Sequence, residues 1–370
     1  MNQVTQIETD LFFFETAGSS DQIGRQYGQA LKPQIARLVQ RSVARLRERY
    51  LEPKVAAAID QVSATFQRNY PYLWEEIVGI CSGSAIPLQD YCRHLFMSAL
   101  PVFESDDVGC TDILFPKSDD GPLLGKTHDA TTPKGAPAVV RASYPADRHA
   151  ALCSTSVDGL STMTGVNAKG LAVGEASLHF HTSNKQGTVR NLLPRAILHE
   201  CADVPEAVAF LADHPPLRFG YHFALVDVTG GAAIVERSPT KQNVRWGETG
   251  VLFCTNHTAT SEMRALEKSR GELGDRNSDT RFANLQKLVS DSRFRPSLEG
   301  MKELLRFHDE DGGICQHGDP RYKGPKIEFY PMHTQRAYID IVATKQLLVA
   351  NGSPCTVPFH LFSLDDKADQ

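Results

Sequence analysis

The amino-acid sequence predicts an α+β protein in which two antiparallel sheets stack face to face and helices cover both outer faces. Residues 20–100 have helical periodicity, whereas short apolar or alternating runs, separated by turn residues, begin at Cys110. From there the order is strands, helices, strands, helices, strands. This order favours a four-layer αββα sandwich over a doubly wound parallel sheet.

Composition narrows the class of protein further. The chain has 370 residues, of which 41% are hydrophobic and 22% charged, and its formal net charge is −5. These values exclude a disordered chain, a coiled coil and a small disulfide scaffold, and the mild acidity argues against a nucleic-acid partner. No apolar run reaches the roughly 18 residues of a membrane helix, and the first residues lack a basic leader. We therefore expect a cytoplasmic protein without a membrane partner.

The first part of the chain is predicted to be helical. Apolar residues such as Ile23, Tyr27, Leu31 and Ile35 recur at intervals of three and four, which is typical of an amphipathic helix over 22–50. Pro33 either kinks this helix or separates two helices. Three further helices are predicted at 55–70, 73–81 and 88–100.

The rest of the chain alternates between groups of strands and groups of helices. Turn residues such as Asp158-Gly159 and Thr229-Gly230-Gly231 separate the strands. The predicted strands are 110–115, 122–126, 138–144, 151–156, 161–166, 170–176, 221–228, 232–236, 251–255, 327–330, 337–343 and 346–350. The predicted helices are 192–201, 205–213, 261–273, 279–290 and 298–308.

The eight cysteines are dispersed, and none forms a Cys-x-x-Cys pair. This spacing fits neither a tetrahedral zinc site nor a secreted disulfide framework, so it predicts buried free thiols in a reducing compartment. Two histidines on one strand, His179 and His181, lack a further ligand cluster. The sequence therefore predicts neither a metal site nor a cofactor.

The position of Cys110 in the sequence would allow a specific backbone-cleavage reaction. Cys110 follows Gly109 where the polar loop 104–109 runs into a strand. Glycine lets the sulfur approach the preceding carbonyl carbon, so an N-to-S acyl shift and hydrolysis could separate the two residues. The released α-amine, with an ordinary pKa of about 7.7–8, could then serve as general base for its own thiol. The alternative for Cys110 is an inert buried strand cysteine.

Several segments in the same order resemble one known family, the isopenicillin N acyltransferases (acyl-CoA:6-aminopenicillanate acyltransferases). These are self-cleaving cysteine N-terminal-nucleophile (Ntn) hydrolases. The segments that carry the resemblance are 23–28, 73–80, 109–111, 164–173, 236–239 and 255–257. The resemblance implies an αββα sandwich of the Ntn type. It also implies a helical pro-segment or alpha chain at 1–109 and an Ntn core or beta chain at 110–370, which remain one structural unit after autocleavage.

The resemblance also implies roles for individual residues. Cys110 matches the nucleophile, Asp129 the carboxylate that holds the terminal ammonium, and Asn256 the amide that polarises the substrate carbonyl. Arg336 is the counterpart of a late arginine near the nucleophile. Each of three residues has an alternative explanation. Asp129 could be a surface-turn aspartate, Asn256 could cap a strand end, and Arg336 could be a solvated arginine at a strand edge.

One strand departs from the family pattern. Family members carry asparagine after the strand that corresponds to 170–173, whereas this chain has Glu175 and Ser177 there. If that strand lines the pocket, these two residues bind substrate, and Glu175 could meet a cationic group.

The sequence thus predicts an amidohydrolase or N-acyltransferase that works through an acyl-cysteine intermediate. Its expected partners are a small N-acyl or acyl-thioester substrate and its own two cleaved chains, with a homo-oligomer also allowed. Two alternatives stay open. They are a papain-like cysteine protease, although Cys110 begins a strand rather than a helix, and a non-catalytic binding protein on the same fold.

Overall fold

The computed structural model describes residues 4–45, 52–96, 108–130, 137–247, 250–309, 313–318 and 332–365. These residues form ten α-helices and fifteen β-strands. The helices are α1 (Ser20–Ala30), α2 (Lys32–Arg45), α3 (Pro53–Asn69), α4 (Pro71–Ser84), α5 (Leu88–Leu95), α6 (Leu193–Glu200), α7 (Val204–Asp213), α8 (Ser261–Arg264), α9 (Glu272–Val289) and α10 (Leu298–Leu305). The strands are β1 (Thr5–Glu8), β2 (Leu11–Gly18), β3 (Val108–Phe115), β4 (Leu123–Ala130), β5 (Ala138–Pro145), β6 (Ala151–Ser156), β7 (Thr162–Asn167), β8 (Leu171–Ser183), β9 (Arg218–Asp227), β10 (Ala232–Arg237), β11 (Gln242–Trp246), β12 (Leu252–Cys254), β13 (His333–Ile341), β14 (Gln346–Ala350) and β15 (Phe359–Ser363).

The strands form two sheets. The larger sheet has the order β1-β2-β5-β6-β7-β8-β9-β10-β11, and the smaller has the order β12-β3-β4-β13-β14-β15. The paired strands are antiparallel except β2 and β5, which run parallel from the pair Leu11 and Ala138 to the pair Gly18 and Pro145. The expectation of purely antiparallel sheets is wrong at this one pair. The parallel pair joins the N-terminal strands β1 and β2 to the rest of the larger sheet.

Three apolar layers hold the sheets and helices together. Helices α1–α7 cover the outer face of the larger sheet, and the apolar layer between them includes Tyr27, Ile77 and Val173. A second layer, which includes Leu124 and Val140, lies between the two sheets. A third layer joins the smaller sheet to α9 and α10. The predicted four-layer αββα sandwich is confirmed. Among the helices of the described ranges, none has both the length and the apolarity needed to cross a membrane.

The predicted boundary at Pro33 is a real helix boundary. Helix α1 begins with a capping box in which Ser19 and Gln22 each bind the other's backbone N–H, and it ends at Leu31. Pro33 is the second residue of α2, where its missing N–H costs nothing. It therefore separates two helices, which is one of the two predicted outcomes.

Some predicted boundaries were wrong. The helix predicted over 261–273 is only α8, because Gly271 has a φ of +87° and the Glu267 carboxylate accepts the Thr258 N–H instead of facing solvent. Strand β4 continues beyond the predicted 122–126, whereas β1, β2, β11 and β15 had no predicted counterpart. The predicted strand 327–330 and residues 97–100 of a predicted helix lie outside the described residues.

Helices α1 and α4 approach each other closely through glycine. Gly24 and Gly28 of α1 face the α4 backbone, and Gly79 and Gly83 of α4 face the α1 backbone. A Cβ atom at Gly28 would overlap the carbonyl oxygen of Ile80. The two backbones therefore touch, and this contact positions the helical layer on the larger sheet.

We expect Gly28→Ala to lower the free energy of unfolding by about 1–3 kcal/mol, because the added methyl group must push two backbones apart. Urea unfolding followed by circular dichroism measures the change. Gln29→Ala, at an exposed position of the same helix, is the control and should stay within about 0.5 kcal/mol of wild type. Equal stability of the two variants would contradict the close-packing account.

Candidate active site around Cys110

The Gly109–Cys110 peptide lies within β3, between β12 and β4 of the smaller sheet. The register pairs Gly109 with Asp129 and Cys110 with His128 on β4. Cys110 is 2% exposed, and its side chain contributes to the layer between the two sheets. Cys110 is therefore a strand residue, as predicted, and not the first residue of a helix as in the papain-like alternative.

Arg281 of α9 is the cation that contacts the backbone of Cys110. Its Nη1 donates to the carbonyl oxygen of Cys110 at 2.6 Å and to Oγ1 of Thr111 at 2.8 Å. Its Nη2 donates to Oδ1 of Asn256 at 2.7 Å, and its Nε donates to Oδ1 of Asn277 at 2.9 Å. The side chain is completely buried. Because a buried guanidinium needs acceptors for its N–H groups, Arg281 fixes the position of each oxygen that it binds.

Asn256 follows β12 and binds the amide of Cys110 directly. Its Oδ1 accepts the Cys110 N–H at 2.8 Å as well as the Arg281 contact. Both partners are obligate donors, so the side-chain oxygen and not the NH₂ group must face them. The NH₂ group instead donates to the carbonyl oxygen of Ser177 at 3.1 Å and to its Oγ at 3.3 Å. Asn256 is thus beside Cys110, and a substrate carbonyl that used this NH₂ group would compete with Ser177.

Asp129 is a buried strand residue and not the surface-turn aspartate of the alternative, because β4 continues to Ala130. Its Oδ1 accepts a hydrogen bond from Oγ1 of Thr334 at 2.7 Å. Burial raises the pKa of Asp129 to about 6, although the charge of Arg281 and the bond from Thr334 act in the opposite direction. At neutral pH this carboxyl group is ionised next to Gly109.

A buried lysine lies close to the thiol. Lys126 Nζ is 3.4 Å from Oδ1 of Asp112 and also donates to the carbonyl oxygen of Glu175. Burial is the largest single influence on the pKa of Lys126 and would lower it, but the negative charges of Asp112, Cys110 and Glu175 together outweigh burial and the pKa is raised. Burial raises the pKa of Cys110 to about 12, with the Lys126 charge acting against it. The thiol of the intact chain is therefore protonated at neutral pH and needs a base.

Glu175 and Ser177 lie on β8 of the larger sheet, facing the same group of residues. Both are almost completely buried. Oε1 of Glu175 is 3.9 Å from Lys126 Nζ, and Ser177 binds Asn256. Burial raises the pKa of Glu175 to about 7 against the effect of Lys126. The structure thus places both residues that the sequence predicts to bind substrate in the group around Cys110, and the carboxyl group of Glu175 titrates near neutrality.

Arg336 lies two strands away from β3, on β13. The register pairs it with His128, and its Nε donates to Oδ1 of Asn351 at 3.1 Å. Arg281, rather than Arg336, is the arginine that binds Cys110. A catalytic role for Arg336 stays a prediction.

Two site residues, Arg281 and Lys126, had no counterpart among the sequence predictions. Arg281 shares one face of α9 with Ser278 and Leu285, which are both buried, so an arginine on an inward face was the available signal. Lys126 alternates with buried Leu124 on β4, which also placed a charge on a core-facing position. In the described part of the chain, the side chains grouped as metal ligands are His308, Cys315, His317 and Cys355, a set that shares no residue with this site.

Comparison with known protein families identifies the class of this protein. The model of a family described as acyl-coenzyme A:6-aminopenicillanic acid acyl-transferase matches residues 116–328, more than half of the chain. The chain belongs to this family. Membership confirms the predicted resemblance and the Ntn type of the αββα sandwich, and it makes the protein an enzyme of amide chemistry, an amidohydrolase or an acyltransferase. The region matched to the acyltransferase family begins shortly after Cys110.

Solved structures with detectable similarity cover 69% of this chain. A penicillin V acylase from Agrobacterium tumefaciens is 18% identical, with a TM-score of 0.46 and 86% of its own chain covered. A conjugated bile acid hydrolase from Clostridium perfringens is 13% identical, with a TM-score of 0.41 and 97% covered. A Caenorhabditis elegans ortholog of N-acylethanolamine-hydrolyzing acid amidase is 13% identical, with a TM-score of 0.43 and 100% covered. The curated proteins include no sequence that matches this member of the acyltransferase family.

We expect Arg281→Lys to lower the free energy of unfolding by about 2–3 kcal/mol. A lysine keeps the charge, but one ammonium group cannot reach the acceptors on Cys110, Thr111 and Asn256 together. Chemical unfolding in urea measures the loss. Arg276→Lys, an exposed position on the same helix, is the control. A change in Arg281→Lys no larger than that in the control would show that these hydrogen bonds do not hold the site together.

Proposed function

We propose that this protein is a self-cleaving cysteine Ntn hydrolase that cleaves or forms a small-molecule amide bond through an acyl-cysteine intermediate. One observation carries the proposal. The nitrogen of Cys110, which becomes the terminal amine on cleavage, is 2.8 Å from Oδ1 of Asn256, while Asp129 lies opposite Gly109 and Arg281 binds the Cys110 carbonyl. The thiol, its future amine and the groups that bind the backbone of Cys110 are therefore together before any cleavage.

The proposed processing step converts one peptide bond into two chain ends. The Cys110 thiol attacks the Gly109 carbonyl carbon and loses its proton, and the Gly109–Cys110 C–N bond breaks as the nitrogen takes up a proton. Water then hydrolyses the resulting thioester, leaving a carboxylate on Gly109 and a free amine and thiol on Cys110. The environment supports a glycine here, since a Cβ atom at position 109 would lie 2.8 Å from Sδ of Met332.

The same groups suit the free amine to act as a base. Its nitrogen shares Oδ1 of Asn256 with the Arg281 guanidinium, so a positive charge is close to it and disfavours the ammonium form. The Asp129 carboxylate favours that form, and the two effects oppose each other. An amine whose pKa stays near neutrality can accept the proton of the buried Cys110 thiol. The thiolate then attacks the substrate carbonyl, and water or an amine takes the acyl group.

The two products are proposed to remain one structural unit. The parallel pairing of β2 with β5 and the packing of α1–α5 on the larger sheet join residues 1–109 to residues 110–370. None of these contacts depends on the Gly109–Cys110 bond. The described cysteines are all free, and seven of the eight are buried, which supports the proposed reducing, cytoplasmic location.

We expect freshly purified wild-type protein to contain a 109-residue and a 261-residue chain, the larger beginning with Cys110. Intact-mass spectrometry under denaturing conditions detects both. Cys110→Ala should remain a single 370-residue chain, because it lacks the attacking sulfur. Cys201→Ala removes another buried thiol and should be cleaved like wild type. An uncleaved wild-type chain that also fails to react with acylating thiol probes would overturn the proposal.

We propose small N-acyl or acyl-thioester compounds as substrates, with Glu175 facing a cationic group on them. The Glu175 carboxyl group is buried beside Cys110 and can change its charge near pH 7. Below that pH the carboxyl group is neutral and tolerates uncharged substrate groups. Above that pH the carboxylate is negatively charged and favours a cationic substrate group. A buried charge of this kind selects between substrates of equal shape.

The experiment measures kcat/KM for a cationic substrate and for a neutral substrate of the same shape. The ratio of the two values should increase roughly tenfold from pH 6 to pH 8 in the wild-type enzyme, because one charge-assisted hydrogen bond provides about this much free energy. The preference should rise through the Glu175 pKa of about 7. Glu175→Gln should abolish this rise, and Glu262→Gln, an exposed acid of α8, should retain it. A rise that persists in Glu175→Gln would assign the selectivity to another group.

A further inference from the structure

A second cluster of reactive side chains lies outside the site around Cys110. It consists of His308, Cys315, His317 and Cys355, and the four potential ligand atoms lie within 4.8 Å of one another. Cys315 is buried, whereas the other three are exposed. Two sulfur and two nitrogen ligands therefore converge on one point near the surface.

Four of the six distances between these atoms follow the order expected for the edges of a tetrahedron around zinc. Bonds of about 2.3 Å to sulfur and about 2.0–2.1 Å to nitrogen place the ligand atoms roughly 3.3–3.8 Å apart, with the sulfur pair widest and the nitrogen pair narrowest. The two sulfur atoms are 3.7 Å apart. Nε2 of His317 lies 3.4 Å from Sγ of Cys315, 3.2 Å from Sγ of Cys355 and 2.9 Å from Nε2 of His308. The order of these four edges is the expected one, and the edge between the two nitrogen atoms must lengthen most to admit an ion. The two remaining edges, from His308 to the sulfur atoms, are at most 4.8 Å long.

We propose that these four side chains form a structural Zn²⁺ site. Two thiolates neutralise the charge of the ion, and two neutral imidazoles complete a tetrahedron of the borderline-soft ligands that zinc prefers. Four protein ligands leave no open position for a substrate or an activated water molecule. The site therefore stabilises structure, and the argument for it does not rest on the function proposed for Cys110.

The ligands come from three separate parts of the chain. His308 follows α10, Cys315 and His317 flank Gln316 in the segment 313–318, and Cys355 lies in the connection between β14 and β15. Each of these segments lacks regular structure at the ligand. A bound ion would replace the missing hydrogen-bonded framework and join all three.

The middle segment also contacts residues that support the catalytic centre. The N–H of Gln316 donates to Oγ1 of Thr334 at 2.8 Å, and Thr334 in turn binds Asp129. The side chain of Gln316 donates to Oδ1 of Asn277 at 3.3 Å, an atom that also accepts from Arg281. An ion held by the two neighbours of Gln316 would thus order the outer support of Asp129 and Arg281.

The dispersed cysteines predicted no metal site, because the two thiols are separated by about forty residues of sequence. The structure brings them together through the pairing of β13 with β14 and the short strand-like contact between His317 and His333. The same thiols could instead form a disulfide under oxidising conditions. A disulfide and a zinc thiolate site exclude each other, so one experiment distinguishes them.

The test uses full-length protein without an affinity tag, purified under reducing conditions and dialysed. Elemental analysis should find one zinc per chain, and replacement by Co²⁺ should give the intense visible bands of tetrahedral coordination together with sulfur-to-cobalt charge transfer in the near ultraviolet. Added Zn²⁺ should raise the melting temperature of the metal-depleted chain. Wild-type protein that contains less than about 0.1 equivalent of zinc and shows no thiolate band with Co²⁺ would overturn the proposal, whether or not a Cys315–Cys355 disulfide is found.

Variants test the assignment of the ligands. Cys355→Ser and His308→Ala should each lower the zinc content at least tenfold after dialysis against a weak chelator. Cys201→Ser and His181→Ala, the second at an exposed histidine of β8, should retain one equivalent. Zinc retained equally by all four variants would place the ion elsewhere. The analysis of wild-type protein does not depend on whether any variant folds.

Discussion

The buried guanidinium of Arg281 is the charge on which the geometry around Cys110 depends. It binds oxygen atoms from β3, from Asn256 just beyond β12 and from its own helix, so it joins the smaller sheet to the helical layer that covers it. Those acceptors are neutral oxygen atoms, and the favourable energy depends on having several of them correctly placed. The orientation of the Asn256 amide follows directly. Once its oxygen is committed to Arg281 and Cys110, its NH₂ group can only face β8.

Buried charges recur on both sides of this centre. Lys126 and Asp112 lie on the smaller sheet and Glu175 on the larger, so the space between the two sheets contains a polar patch within an otherwise apolar layer. Desolvation there raises the pKa of the Cys110 thiol and also the pKa values of the Asp129 and Glu175 carboxyl groups. Such an environment suits chemistry in which protons move between nearby groups.

The sequence predicted the features that depend on local pattern or on a family motif. The order of elements after Cys110 followed from alternation and turn residues, and Asp129 and Asn256 followed from segments that resemble the acyltransferase family. Features that depend on contacts between distant parts of the sequence were not predicted. The run Leu11-Phe12-Phe13-Phe14 shows no alternation, and its pairing with β5, more than a hundred residues later, is what places it in the larger sheet. Arg281 lies in a helix rich in charged residues, where an inward arginine resembles a solvated one. The four converging histidines and cysteines have no common spacing at all.

The parallel pairing of β2 with β5 also determines whether folding needs one chain or the encounter of two. In the continuous chain this pairing is an intramolecular event, although a slow one because the two strands are far apart in sequence. In a chain cut after Gly109, β2 belongs to one piece and β5 to the other, and the larger sheet could be rebuilt only by a bimolecular encounter. Recovery of the native fold would then become second order and concentration-dependent. The native arrangement of a processed molecule is therefore one that its continuous precursor must assemble first.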